Sequence, residues 1–254
     1  MIYVRKTIEF NVSATLKIDP KKQVVFPKAI EYSTSDNVFA SISNNKDDEG
    51  KIDILLKIKA EDRDSAKSIA EIELIKISNV LSWEKTVPIK NMQISPIDEH
   101  LMGEDNKHHV SITEGLIAKD DISLSTKLDS KDIDNLSDKF ISYDDSAEDV
   151  LIMWREALAE KSEAWKFLLY FRLLEYLCGS RVKADQYIRR KKPDVKLEKG
   201  KNGEDISIYT YLRDNIHKKK QEKPEFPYKE IQKQLSPFVA IVKNAVEERL
   251  AHKL

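Results

Sequence analysis

The chain of 254 residues has a single cysteine, Cys178. One thiol cannot form an internal disulfide, and its use fits a reducing compartment. No apolar run approaches the roughly 20 residues that a membrane-spanning helix needs. The opening Met-Ile-Tyr-Val-Arg-Lys-Thr lacks the basic-then-apolar order of a secretory signal. The expectation is a soluble cytoplasmic protein with no membrane partner. A Walker loop, a dinucleotide fingerprint and a nucleophile elbow are all missing. His108 and His109 are adjacent, so on a strand they point to opposite faces, and no CxxC or HExxH accompanies them. The segment Asp132-Ile-Asp134 lacks the glycine and closing glutamate of a calcium loop. Neither a metal nor a cofactor is expected. Excess charge is also lacking: 43 Lys and Arg balance 44 Asp and Glu. Any attraction to nucleic acid must therefore be local.

What is present changes texture near residue 145. Ile8, Phe10, Val12, Ala14, Leu16 and Ile18 recur every second residue, the period of a half-buried strand. Further strands are expected through Val24 to Phe26, Val38 to Ile42 and Ile52 to Ile58. Residues 60–81 switch period, with Ala66, Ile69, Ala70, Ile77 and Leu81 spaced as on an amphipathic helix. Strands then resume at Val87 to Ile89, Met92 to Ile94, Val110 to Ile112, Leu116 to Ala118 and Ile122 to Leu124. The fold class is α+β: an antiparallel sheet domain with one covering helix over 1–128, an aspartate-rich linker over 129–145, and a helical bundle over 146–254.

The second half reads as helical throughout. Ser162 opens a helix that Gly179 closes in the left-handed conformation. Between them Trp165, Phe167, Leu168, Leu169, Phe171, Leu173, Leu174, Tyr176 and Leu177 leave little polar surface. A helix apolar nearly all round belongs inside a bundle or against a second chain. Trp154 and Trp165 are expected in the core. Lys196 to Gly203 reads as a flexible loop, followed by a helix from about Asp205 to Lys218. The final helical region is expected to break at Ser236-Pro237 and restart there.

The stretch with the most chemistry is Tyr209-Thr-Tyr-Leu-Arg-Asp-Asn-Ile-His217, followed by Lys218, Lys219 and Lys220. At about 100° per residue, Arg213 and His217 share a helix face. A fixed cation beside a group that titrates near neutrality suits metal-free phosphodiester cleavage. An ordinary helix end has the same look, because cations in a last turn suit the negative end of the helix dipole. Arg189, Arg190, Lys191 and Lys192 precede the motif within a basic stretch running from Arg181 to Lys201. With Lys218 to Lys220 they form a candidate RNA-holding patch, or else a solvated charge run.

Leu212-Arg213-Asp214-Asn215-Ile216-His217 resembles the Arg-polar-x-x-x-His signature of HEPN helical domains. Phe167-Leu-Leu-Tyr-Phe-Arg-Leu-Leu-Glu-Tyr-Leu177 is similar to the helix that precedes it there, with Glu175 at the acidic position. That family usually has four to six residues between arginine and histidine, and this chain has three. The resemblance spans about residues 145–254 and implies a homodimer through the helical domain. It also implies a metal-independent endoribonuclease, in a defence or toxin system. In that reading His217 moves the proton of a ribose 2′-hydroxyl or of the leaving oxygen, Arg213 binds the scissile phosphate, and Asp214 orients one of them. Glu175 holds an arginine such as Arg172 or Arg213. The alternative is a catalytically inactive HEPN-type binding or assembly module whose β domain recognises a protein partner. A β-rich region ahead of such a bundle also resembles bacterial proteins labelled methylamine-utilisation J-like.

Overall fold

The computed structural model describes residues 8–18, 22–35, 37–48, 50–100, 124–127, 136, 138–140, 145–216 and 226–251. The strands expected at 110–112, 116–118 and 122–123 lie outside them. So do His108, His109, Asp132, Asp134, His217 and Lys218 to Lys220. The chain divides into two compact units, 1–151 and 152–254.

The first unit is built on a five-stranded antiparallel sheet. Its strands are β1 (Ile8–Ile18), β3 (Ile30–Ser35), β4 (Val38–Asn44), β5 (Lys51–Ala60) and β6 (Ile89–His100), in the order β3-β4-β5-β1-β6. Strict alternation sends Phe10, Val12, Ala14, Leu16 and Ile18 to one face, opposite Ile52, Ile54, Leu56 and Ile58 of β5. Helix α1 (Arg63–Lys85) packs on β1, β5 and β6 through Ala66, Ala70, Leu74, Ile77 and Leu81, a single helical stripe. Asp62 caps it by accepting the Ser65 N–H at 2.7 Å.

Several boundaries differ from the periodicity. The strand expected from Val24 to Phe26 is β2 (Lys22–Val25), which pairs parallel with β7 (Leu124–Lys127) in a separate two-stranded sheet. The β3 strand was not anticipated, because Ser33, Thr34 and Ser35 mask its alternation. In place of the two strands expected at Val87 to Ile89 and Met92 to Ile94 there is one long strand, β6, which begins at Ile89 with Val87 and Pro88 ahead of it. Leu136 and Phe140, within the stretch read as a linker, are buried in the sheet unit's core, and Phe140 stacks on Tyr32 at 4.9 Å. The Tyr32 hydroxyl donates to Glu73 Oε1 at 2.9 Å, with both side chains buried. Burial, then the Glu73 carboxylate, pushes the phenol pKa far above its usual value.

The second unit is mostly helical. Its elements are α2 (Asp145–Ala159, which spans the boundary between units), α3 (Glu163–Cys178), α4 (Arg181–Lys191), α5 (Ile208–Ile216) and α6 (Phe226–Ala251). Ser162 and Gly179 cap α3 as anticipated, Gly179 at φ 83°. Its core is aromatic: Phe238 of α6 meets Phe167, Phe171 and Tyr209 at 4.8, 5.7 and 4.9 Å. Helix α6 runs through Pro237 without the break expected from sequence. The missing N–H leaves the Lys233 carbonyl without that helical donor. Even so, Ile231 before the proline and Phe238, Val242 and Val246 after it are buried, and this packing outweighs the lost bond. Trp165 is a further correction: Trp154 is fully buried, but Trp165 is 58% exposed.

Candidate functional site

The region read as a flexible loop and early helix is a hairpin. Strands β8 (Leu197–Lys199) and β9 (Asp205–Ser207) pair antiparallel around a turn with Gly203 at φ 81°. Helix α5 therefore begins at Ile208, three residues later than its composition suggests. Its start is held by one buried carboxylate. Asp185 Oδ1 on α4 accepts the Ser207 N–H at 2.9 Å, the Ser207 hydroxyl at 2.7 Å and the Thr210 hydroxyl at 2.6 Å. Ser207 Oγ in turn accepts the Thr210 N–H at 3.3 Å as an N-cap. A negative charge also suits the positive end of the helix. Ile208, Tyr209 and Leu212 of α5 are buried, which leaves Arg213 and Asp214 on its outer side.

There Arg213 is gripped from two directions. Its Nη2 lies 3.1 Å from Glu175 Oε1 on α3, and its Nη1 donates to Asp214 Oδ1 at 3.1 Å. Beneath it lies the Phe171 ring, 5.9 Å from the guanidinium carbon. The other oxygen of Asp214 pairs with Arg181 Nη1, and Arg181 Nη2 lies 3.9 Å from Glu204 Oε1. Glu175, Arg213, Asp214, Arg181 and Glu204 thus alternate as one chain of ion pairs, with three carboxylates to two guanidiniums. Arg213 keeps 34% of its side chain exposed, Asp214 only 14%. Of the two arginines weighed for Glu175, Arg213 takes the place. Pairing of Asp214 with Arg181 had no sequence signal, because the two lie 33 residues apart.

The candidate RNA-holding cations on α4 are also engaged. Arg189 donates to the Asp205 carbonyl at 3.2 Å and lies 4.0 Å from Asp185. Arg190 sits over the Tyr187 ring at 5.1 Å, and Lys191 pairs with Glu248 of α6. Lys192 Nζ lies 3.5 Å from the Tyr209 hydroxyl at the next helix start, so Lys192 borders α5. Tyr187 donates to Glu248 at 3.0 Å, and Lys191 holds that carboxyl below its usual range. Cys178 is half-buried and its thiol pKa is raised, chiefly by burial, which disfavours a reactive thiolate. Among the described residues no group of three or more His, Cys, Asp or Glu is arranged to hold a metal ion, and no helix is long and apolar enough to cross a membrane.

Set against family models, curated proteins and solved structures, the chain matches none.

Proposed function

We propose that the helical unit is a HEPN-like binding and assembly module that pairs with a second copy, and that the sheet unit recognises a protein partner. The observation behind this reading is the saturation of Arg213. A carboxylate stands on each of its two amino groups, and a phosphodiester approaching it would meet three carboxylates against two guanidiniums. Displacing Glu175 or Asp214 would leave a partly buried charge without its partner, which costs more than an exposed ion pair is worth. The test is incubation of the purified protein with mixed RNA in chelator. The expected result is no cleavage above that of the Arg213→Ala, His217→Ala double variant. Cleavage that the double variant lacks would overturn the reading.

The second reading is a metal-independent endoribonuclease, favoured by one observation. Arg213 lies in the last turn of α5 with a third of its side chain exposed, four residues ahead of His217. In that case His217 transfers the proton, Arg213 binds the phosphate and Asp214 orients the pair. Products then end in 2′,3′-cyclic phosphate, and DNA, which lacks the 2′-hydroxyl, is not cut.

A further inference from the structure

Helix α3 turns Phe167, Tyr170, Phe171 and Leu174 inward, and α6 packs on it. Along its other side, among the described residues, runs an exposed strip. Trp165 is 58% and Tyr176 52% exposed, Arg172 is exposed, and Leu168 and Leu169 are half-buried. At about 100° per residue these positions fall within an arc of about 100°, and exposed Lys161, just before the helix, extends the same line. A tryptophan and two leucines left partly in water on one helix face mark a contact surface.

The strip is self-complementary. A two-fold axis crossing α3 between Leu168 and Leu169 brings each leucine against the other from a second copy. It also carries Trp165 onto Arg172 of the second copy, and Lys161 onto Tyr176. Each cation then meets an aromatic face, twice over by symmetry. We infer that α3 is the self-pairing surface, lying antiparallel to α3 of a second copy with Trp165 stacked on Arg172 across the axis. This assignment rests on the reading of the helical unit as an assembly module. A single helix pair is a small interface, so the dimer dissociates on dilution.

Sedimentation of the full chain over a range of concentrations tests it. The wild type passes from monomer to dimer. Trp165→Lys, which sets two cations against each other, and Arg172→Glu, which removes the cation, each weaken association by about thirtyfold. Combining Trp165→Lys with Arg172→Glu places opposite charges in register again and recovers most of the loss. All three variants keep the wild-type circular dichroism and, at dilutions where the wild type is monomeric, its melting temperature, since both positions are exposed. A wild type that stays monomeric at every concentration removes self-pairing and the assembly reading with it. A dimer indifferent to both single variants removes this face alone. If Trp165→Lys lowers the melting temperature and leaves association unchanged, the strip is covered by its own chain and the inference fails.

Discussion

The two units solve the same problem with different materials. In the sheet unit the core is mostly aliphatic and regular: long strands alternate Ile, Leu, Val and Ala with a few rings such as Phe10 and Tyr32 among them, and the backbone ladders satisfy the polar groups between them. Its buried Tyr32–Glu73 pair is one polar tie in a wide apolar layer. The helical unit instead centres on a cluster of rings, with polar ties concentrated around α5, a helix of nine residues. A helix that short is marginal by itself. Asp185 fixes its start, Tyr209 and Leu212 its inner face, and the Glu175–Arg213–Asp214–Arg181 chain its outer face. The candidate chemistry of Arg213 therefore coincides with the ties that hold its helix.

Replacing the central side chain of each core gives the largest effects. Phe238→Ala, which empties the contact among three rings, costs about 3 to 5 kcal/mol, and Leu16→Ala in the sheet about 2 to 5 kcal/mol. In scanning calorimetry the two variants lower different transitions. A single transition lowered equally by both would break the comparison, making the cores one cooperative unit. Asp185→Ala comes next. It leaves the Ser207 N–H and two hydroxyls without their acceptor, at about 2 to 3 kcal/mol, whereas Asp185→Asn keeps an acceptor and costs less. Hydrogen exchange should show the loss concentrated in α5 amides; a loss spread evenly over the unit would refute the local role.

The smallest effect separates surface ion pairs from buried ties. The folded-state pKa of Glu248 lies below its ordinary value of 4.5, chiefly because of Lys191 and then the Tyr187 hydroxyl. A depressed carboxyl contributes stability that is present above the unfolded pKa and is lost as pH falls through the folded one. Because the pair is exposed, the contribution is under about 1 kcal/mol. Glu248→Gln is accordingly slightly less stable than wild type at neutral pH, and the gap closes below the ordinary carboxylate range. A gap independent of pH in urea titrations would assign the effect to packing.

Alternation in β1 and β5, the stripe of α1 and the caps Ser162 and Gly179 were all legible, because each is a local property of consecutive residues. The β3 strand and the β8–β9 hairpin were not, since their polar sequences resemble loops until a neighbouring strand pairs with them. Continuity of α6 through Pro237 is decided by residues packed on both sides of the proline. Of the site, the four-residue step from Arg213 to His217 could be read from type and spacing, whereas the choice of Arg213 over Arg172 as the partner of Glu175 was decided by the fold. The engagement of Arg189, Arg190, Lys191 and Lys192 could not, because a charge run looks the same whether solvated or paired.

The amino-acid order alone determined the division into a sheet-forming half and a helix-forming half, because hydrophobic period is written residue by residue. Only the tertiary structure decided the strand order β3-β4-β5-β1-β6, the exposure of Trp165 and the pairing of Asp214 with Arg181. Those depend on which distant segments meet, and separations of tens of residues leave no periodic trace in the chain.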